Sequence, residues 1–201
     1  MENNKKNKNI IKNKDKTLKS NLKNNIVQLV KCPKCNEDIK NNKLKEHLQG
    51  NHLTEIIDHI YIGSFMNAKN LIELEKNNIK YILNCASECK NTFEDKIKYL
   101  KLDIKDQIDF PIQDYFDKGI QFIIEALNNN DGNILIHCME GKSRSTTILM
   151  AYLIKCKNED TNSAYKIVKN KRQLTMPNLG FMNKLREFEK EENTKKENLI
   201  K

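Results

Sequence analysis

Residues 133–156, NILIHCMEGKSRSTTILMAYLIKC, place a short apolar strand before an apolar helix, with a polar loop between them. The run NILIHC predicts a buried strand, and STTILMAYLIKC predicts a buried helix. A strand that leads into a helix through a short loop is typical of α/β proteins, in which helices cover an open sheet. Ligands of such folds bind at the carboxyl ends of strands, which is where this loop lies.

The surrounding residues continue the same alternation. Strands are predicted at IIDHIYIGS, IKYILNCA and IKYLKLDI, and helices at NAKNLIELEKNN and IQDYFDKGIQFIIEALNN. Two more helices are predicted near residues 161–171 and 178–191. The expected fold class is therefore α/β, and the domain is predicted to span residues 54–192 and to end in a charged C-terminal tail, 193–201.

The loop carries residue types that suit an anion. Cys138 ends the strand, and Arg144 opens the helix. Backbone N–H groups in such a turn converge on one point, and the helix N-terminus adds partial positive charge that favours a thiolate. Gly141 allows close approach of the backbone, and the Arg144 guanidinium can hold two phosphate oxygens. The predicted phosphate-binding loop consists of Met139, Glu140, Gly141, Lys142, Ser143 and Arg144.

Glu140 is a carboxylate inside this predicted anion site. We expect its side chain to point away from the phosphate, with Lys142 close enough to balance its charge. An exposed pair of this kind contributes about 0–1 kcal/mol. Glu140 is therefore expected to influence substrate preference more than the chemical step.

A second cluster of reactive side chains lies in residues 30–53. CPKCNEDIKNNKLKEHLQGNH has the spacing Cys32-x2-Cys35-x11-His47-x4-His52. Two thiolates and two imidazoles can close a tetrahedron around zinc, and a module this short depends on metal for stability. The segment resembles C2H2 and C2HC fingers, including the ubiquitin-binding fingers of DNA-repair proteins. Gln49 stands where those binders carry an aspartate. We therefore expect the module to dock to a protein, and ubiquitin is the weaker candidate for that partner.

The N-terminal segment differs in composition from the rest of the chain. Residues 1–31 carry nine lysines against Glu2 and Asp15, so seven of the nine net positive charges lie there. A Lys/Asn-rich run buries too little apolar area to offset its ordering entropy, so residues 1–29 are predicted to be disordered. Nucleic acid is not among the expected partners, although nuclear import through KKNKNIIKNKDK stays open.

The chain has no run of 18 apolar residues and no apolar signal region, so neither a membrane span nor secretion is predicted. In a reducing compartment, cysteines serve metal binding or catalysis more often than disulfides. We therefore expect a cytoplasmic protein, with the nucleus as the open alternative. The six cysteines are Cys32, Cys35, Cys85, Cys89, Cys138 and Cys156.

HCMEGKSRS matches HCxxGxxR[ST], and on this motif the chain resembles the cysteine-dependent protein tyrosine phosphatase superfamily. The SRS ending resembles the dual-specificity branch, and the likeness covers nearly all of residues 54–190. IIDHIYIGSFMNAKN is similar to the family's opening, YILNCASE to its second strand, and KRQLTMPNLGFMNKLREFE to its R…PNxGFxxQLxxFE ending. The resemblance implies a central, mostly parallel sheet flanked by helices, in a compact, atypical dual-specificity phosphatase.

The resemblance also implies a role for each residue of the motif. Cys138 would be the nucleophile that forms a phosphocysteine, and Arg144 would bind the phosphate and stabilise its charge. Ser145 would hydrogen-bond the sulphur and help it leave, and His137 would orient the loop. The reaction would need no cofactor, and its substrates would be phosphotyrosine and phosphoserine or phosphothreonine on proteins.

The general acid of this family is an aspartate upstream of the loop. LDIKDQIDFPIQDYF offers Asp103, Asp106, Asp109 and Asp114. Family members place the acid ten residues before the Phe of a YF or FF pair, which implies Asp106, with Asp109 as the competitor. The acid would protonate the leaving oxygen and then help to activate water.

Three other functions stay open at this point. A phosphoinositide phosphatase related to tensin would have a lysine at Lys142, but its second lysine would correspond to Met139. An RNA 5′-phosphatase would end its loop in RTG, whereas this loop continues from Ser145 to Thr146. A zinc-finger adaptor or pseudophosphatase would normally have lost the cysteine, the arginine or the acid.

The chain has no tryptophan, which disfavours the tyrosine-specific branch with its WPD acid loop.

Cys85 ends a predicted strand in ILNCASE. Lipid-phosphatase relatives carry a cysteine at the matching point, and it can form a reversible disulfide with the nucleophile. Cys85 is thus a candidate redox partner of Cys138, and a buried cysteine that packs as a small apolar residue is the alternative.

Overall fold

The computed structural model describes residues 28–200, with side chains as far as residue 198. Most of the tail predicted to be disordered, residues 1–27, lies outside the described residues. The chain forms two compact units that divide between Lys45 and Glu46. This division falls inside the segment predicted as the finger module. The end of that segment belongs to the larger unit, where Gln49, Asn51 and His52 hydrogen-bond to other side chains of the same unit.

The described part of the smaller unit is a two-stranded antiparallel hairpin. It consists of β1 (Leu29–Lys31) and β2 (Asp38–Lys40), with Val30 paired to Ile39. A tight turn joins the strands, and Asn36 takes a left-handed backbone conformation there (φ 62°). A 3₁₀ turn, Asn41–Lys43, follows and leads into α1 (Leu44–Asn51).

The larger unit is built on a five-stranded sheet with the order β3-β4-β7-β5-β6. Only the β3–β4 pair is antiparallel, so the mostly parallel sheet expected from the sequence is confirmed. The central strands β5 and β7 are apolar runs because helices cover both of their faces. The strands are β3 (Thr54–Ile57), β4 (Ile60–Gly63), β5 (Ile79–Asn84), β6 (Lys98–Lys101) and β7 (Asn133–His137).

The helices cover both faces of this sheet. On one face a large apolar core forms around α5, which is buried on nearly every side. On the other face a smaller cluster around Leu74, Ile82 and Leu135 packs beneath the short helices. No helix among the described residues has both the length and the apolarity needed to cross a bilayer. The helices are α2 (Phe65–Ala68), α3 (Leu71–Lys76), α4 (Phe116–Asn129), α5 (Arg144–Lys157), α6 (Thr161–Lys171) and α7 (Leu179–Ile200).

Three elements differ from the sequence prediction. IIDHIYIGS forms the hairpin β3–β4 rather than one strand, because His59 adopts a left-handed conformation (φ 69°) that reverses the chain. NAKNLIELEKNN splits into α2 and α3, because the Asn70 side chain caps a new helix at Glu73 N. The last helix continues through the predicted charged tail to Ile200, where Glu192 and Lys195 form an i,i+3 ion pair.

Candidate active site

The loop after β7 lies at the carboxyl end of the middle strand of the sheet. β7 ends at His137, Cys138 follows with only 2% of its surface exposed, and α5 begins at Arg144. Parallel pairing with β4 and β5 on either side holds this strand end in place. The loop therefore stands at the edge where an α/β sheet binds its ligand.

Arg172 binds the backbone of the loop from outside. Its Nε donates to the Gly141 carbonyl at 2.8 Å, and its NH2 donates to the Glu140 carbonyl at 3.2 Å. The Arg172 side chain is fully buried, and burial lowers its pKa to about 10, so it stays charged at neutral pH. This guanidinium places a fixed positive charge behind the loop.

Two other backbone amides bind the neighbouring carbonyls. Phe65 N donates to Met139 O at 3.1 Å, and Met176 N donates to Lys142 O at 2.8 Å. In a trans peptide group the C=O and the N–H point in opposite directions. Since the carbonyls of residues 139–142 are bound from outside, the N–H groups of residues 140–143 face the other side. They form a nest of donors for an anion.

Gly141 is the residue that lets this loop close on the sheet. It has a φ of +65°, and a Cβ at this position would lie 2.3 Å from the Gly63 carbonyl oxygen. A side chain cannot occupy that space without moving the backbone. The glycine in HCMEGKSRS thus serves a close approach as well as a left-handed turn.

Arg144 lies with its guanidinium buried beside the loop. Its NH1 and NH2 each lie 2.7 Å from one carboxylate oxygen of Glu88, and NH1 also donates to Ile104 O at 3.1 Å. Burial lowers the pKa of Arg144, but the bonds to Glu88 and the nearby Cys138 and Asp106 together outweigh it, and the net pKa is raised. Among the described residues, its buried Nε has no hydrogen-bond partner. That N–H is a donor available to a bound anion.

Asp106 is the aspartate that reaches the loop. Its Oδ1 accepts from Ser143 Oγ at 2.8 Å and from Asn178 Nδ2 at 2.9 Å, and its Oδ2 is 3.6 Å from Arg144 Nε. Because Ser143 donates to Asp106, its side chain does not cap the first amides of α5. Those amides stay available to a ligand.

The three other candidate acids lie elsewhere. Asp103 is 3.5 Å from Lys101 Nζ, at the end of β6. Asp114 lies in the 3₁₀ turn that precedes α4, and Asp109 is exposed and does not line the pocket over the loop. Asp106 lines that pocket. The geometry therefore favours the aspartate that the family pattern implied.

Two side chains contact Cys138 directly. Ser145 Oγ lies 3.4 Å from Cys138 Sγ, and His137 Nδ1 lies 3.3 Å from the Cys138 carbonyl oxygen. Burial lowers the pKa of His137 to about 4, so its imidazole is neutral at physiological pH. His137 therefore contacts the backbone of the loop without adding charge to it.

Glu140 and Lys142 form the ion pair expected from the sequence, with Glu140 Oε2 at 2.5 Å from Lys142 Nζ. The Glu140 side chain is 63% exposed, so the pair lies at the rim and is screened by water.

The loop opens into a pocket of about 670 Å³. Its walls combine the polar groups already described with apolar side chains that are largely exposed, Met139, Met176 and Leu179. A buried sulphur, an arginine with an unused N–H and a carboxylate thus face one open cavity. This arrangement suits nucleophilic attack on a phosphate monoester.

Cys85 lies directly after β5, beside the loop. Its N–H donates to His137 O at 2.8 Å, and Asn84 pairs with His137 in the register of the two strands. Burial raises the pKa of the Cys85 thiol. The disulfide with Cys138 stays a prediction, which mass spectrometry after mild peroxide treatment would test.

The thiols of the N-terminal cluster lie in the β1–β2 turn. Cys32 Sγ accepts from Lys34 N at 3.4 Å, a contact that suits a thiolate. Burial raises the pKa of Cys32, but amide donors from Cys35 and Lys34 outweigh it, and the net pKa is lowered. Among the described residues, one group could hold a metal ion, namely Cys32, Cys35, His47 and His52.

The two histidines of this group fit a metal well. His47 Nε2 and His52 Nε2 are 3.3 Å apart. In a tetrahedral zinc site, two ligand nitrogens at about 2.0–2.1 Å from the metal are separated by roughly this distance. His52 Nδ1 lies 3.2 Å from the buried Glu73 carboxylate, the kind of outer partner that orients a metal-binding histidine through its other ring nitrogen.

Sequence reasoning missed four residues that support these sites, namely Glu88, Arg172, Asn178 and Glu73. Asn178 and Arg172 belong to the KRQLTMPNLGF segment, which served only as a mark of resemblance. Glu88 follows a predicted strand beside the loop, and its negative charge at that position could have indicated a partner for Arg144. No local pattern pointed to Glu73, because its partner His52 lies 21 residues away.

Comparison with known proteins agrees with this geometry. Residues 60–191 match the family model described as the dual specificity phosphatase catalytic domain. The chain is 40% identical to human dual specificity protein phosphatase 6 over 138 residues, which cover 68% of this chain and 36% of that protein. It is 37% identical to human protein phosphatase Slingshot homolog 1 over 134 residues, which cover 67% of this chain and 13% of that protein.

A solved structure supports the same placement. The structure of DUSP15 superposes with a TM-score of 0.65 at 34% sequence identity, covering 70% of this chain and 88% of that one. The chain spans about a third or less of the length of the two curated relatives. The shared region is therefore the domain that carries the loop and the pocket.

Proposed function

The chain belongs to the dual specificity phosphatase family, and we propose that it hydrolyses phosphotyrosine, phosphoserine and phosphothreonine on proteins through a phosphocysteine intermediate. One observation carries this proposal. Cys138, Arg144 and Asp106 face a single pocket, and the buried Arg144 Nε has no hydrogen-bond partner among the described residues. The family needs no cofactor for this chemistry.

In the first step, the Cys138 sulphur attacks phosphorus and the bond to the leaving oxygen breaks. The amides of residues 140–143 and the Arg144 guanidinium bind the equatorial oxygens, where negative charge is spread in the transition state. Asp106 gives its proton to the leaving oxygen. Ser143 and Asn178 hold this carboxyl group over the loop.

In the second step, water attacks the phosphocysteine and the sulphur leaves as a thiolate. Asp106, now ionised, takes a proton from the water. Ser145 donates to the departing sulphur, which its present distance of 3.4 Å from Cys138 Sγ allows. His137 keeps the loop backbone in place as a neutral ring.

The rim of the pocket supports a phosphorylated protein as substrate. Three exposed apolar side chains, Met139, Met176 and Leu179, line the opening beside the Glu140–Lys142 pair. Flexible methionines can pack against varied apolar neighbours of a phosphorylated residue. We therefore propose a preference for sites flanked by apolar residues, with Glu140 adjusting the choice among charged ones.

For the N-terminal cluster we propose a structural zinc ion held by Cys32, Cys35, His47 and His52. Bound zinc would supply folding free energy to a short segment that has little apolar core of its own. The exposed surface of such a module would dock to another protein. Because the proposed reaction needs reduced thiols, we propose a cytoplasmic location, with nuclear entry through the basic N-terminal segment.

The test compares the wild-type chain with Cys138→Ser. The wild type should hydrolyse p-nitrophenyl phosphate and phosphopeptides, and Cys138→Ser should hydrolyse neither. Phosphoinositides and RNA 5′-phosphates serve as the comparison substrates. Faster turnover of either one than of every phosphopeptide would overturn the protein substrate. No hydrolysis of any phosphate ester by the wild type would overturn the enzyme and favour an adaptor.

A further inference from the structure

Arg172 joins the phosphate loop to α1, the helix that contains His47 and ends one residue before His52. Besides its two bonds to the loop carbonyls, its NH1 donates to Gln49 O at 2.5 Å and to Thr54 Oγ1 at 2.9 Å. Gln49 lies in α1, between His47 and His52. The hydrogen bonds of this buried guanidinium thus run from α1 to the carbonyls of Glu140 and Gly141.

A second chain of contacts leads from the same histidines to the same loop. Glu73 accepts from His52 Nδ1 and from Asn67 Nδ2, and Asn67 Oδ1 accepts from Ser64 N at 2.8 Å. The next residue after Ser64 is Phe65, whose N–H donates to Met139 O. Three successive carbonyls of the loop, those of residues 139–141, are therefore held by groups connected to His47 or His52.

The helix α1 does not have the means to hold this position alone. It is eight residues long and contains no fully buried residue. Isolated helices of this length are not stable in water, because nucleation is costly and few hydrogen bonds compensate for it. A metal ion shared by two histidines would supply the missing order. The position of Gln49 O, and with it the Arg172 side chain, then depends on that ion.

We propose that Arg172 is a positioning residue, through which metal binding at His47 and His52 sets the anion affinity of the phosphate loop. The proposal rests on the proposed phosphatase site and the proposed zinc site. With metal bound, Arg172 keeps the carbonyls of Glu140 and Gly141 turned outward, so that the N–H groups of Gly141 and Lys142 point at the phosphate. Without metal, α1 frays, Arg172 loses Gln49, and these peptide groups reorient.

The experiment uses the full chain with Cys138→Ser, so that the loop sulphur cannot bind the metal itself. Orthophosphate affinity and backbone amide exchange of residues 140–142 are measured with zinc bound, after chelation, and after zinc is restored. Chelation should weaken phosphate binding about tenfold, within the usual range for coupling between two sites. It should also speed amide exchange in the loop, and added zinc should reverse both effects.

Variants in the same Cys138→Ser chain separate the steps. Cys35→Ser removes a metal ligand, and Cys156→Ser is its matched control, since Cys156 is an exposed cysteine outside the metal group. Cys35→Ser should lose zinc and weaken phosphate binding, and Cys156→Ser should do neither. Arg172→Met should weaken phosphate binding with zinc still bound, and chelation should then weaken it no further. Arg172→Lys serves if the Met variant does not fold.

The outcomes test the coupling, the zinc site and the phosphatase site separately. If chelation removes zinc and leaves both phosphate affinity and loop exchange unchanged, the coupling is wrong. If chelation weakens phosphate binding further in the Arg172→Met variant, the coupling does not pass through Arg172, and the proposal is overturned as well. If the chain binds orthophosphate but no zinc, this inference fails while the phosphatase proposal stands. If the zinc-loaded chain binds no orthophosphate, the phosphatase proposal fails as well.

Discussion

The Glu88 carboxylate binds both terminal nitrogens of the Arg144 guanidinium, with Oε1 at 2.7 Å from NH2 and Oε2 at 2.7 Å from NH1. The pair fixes the plane of the guanidinium, and it holds the pKa of Glu88 below its ordinary value. Among the described residues the Nε–H has no hydrogen-bond partner, although Asp106 Oδ2 lies 3.6 Å away. An arginine held in this way is oriented for phosphate before the substrate arrives.

Replacement of Glu88 should therefore lower catalytic efficiency. Glu88→Ala removes both acceptors, so Arg144 loses its orientation, and kcat/KM on p-nitrophenyl phosphate should fall about 10- to 100-fold. Glu88→Gln keeps one acceptor, so its kcat/KM should fall less. If Glu88→Ala matches the wild type in kcat/KM and in phosphate inhibition, Glu88 does not position Arg144.

Asp106→Asn should lower kcat about 10²–10⁴-fold, the usual contribution of a general acid. Orthovanadate affinity should change little, because the Asn amide oxygen can still accept from Ser143. The falling limb of the pH–kcat profile, where the acid loses its proton, should disappear as well. Asp109→Asn is the matched control and should keep near wild-type turnover. A large loss in the control instead would reassign the acid to Asp109.

Gly141→Ala should abolish anion binding and destabilise the fold. The new Cβ would meet the Gly63 carbonyl at 2.3 Å, and the left-handed backbone adds strain of about 1–3 kcal/mol. Vanadate binding and urea unfolding measure the two effects. Gly50→Ala is the control, since nothing lies within 4 Å of its Cβ, and it should be neutral or stabilising. Intact vanadate binding by Gly141→Ala would show that the loop tolerates displacement.

His137 should make the protein less stable in acid. Its pKa is about 4 in the folded state and about 6.5 when unfolded, so the unfolded state binds more protons between these values. Stability from this group is complete above pH 6.5 and is lost as the pH falls toward 4. Between pH 6.5 and 5 the free energy of unfolding should drop by about 1.5 kcal/mol on this account.

Urea titrations at the two pH values measure this slope. His137→Gln should flatten it by the amount that His137 contributes, although its stability at neutral pH also falls. An unchanged slope in His137→Gln would mean that other groups, such as the paired carboxylates, cause the acid sensitivity.

Much of the fold could be predicted from periodicity. The buried strands β5 and β7, the buried helix α5 and the bounds of α6 follow apolar patterns that do not depend on distant residues. Two predicted elements were wrong because a turn or a helix cap interrupts each of them, and a periodic apolar pattern does not show such an interruption. His59 turned one expected strand into a hairpin, and the Asn70 cap divided one expected helix. Both depend on the conformation of a single polar residue.

The site divides in the same way. The sequence alone determined the phosphate loop, because Cys138, Gly141, Arg144 and Ser145 act within one strand–turn–helix whose geometry is set by neighbours in the chain. Only the tertiary structure decided what surrounds it. Glu88 reaches Arg144 across 56 residues, and Arg172 reaches Gln49 across 123. Glu88 meets Arg144 because the sheet order places the ends of β5 and β7 side by side, and Arg172 lies near Gln49 because α6 packs against β3, the strand that follows α1. No local pattern encodes either arrangement.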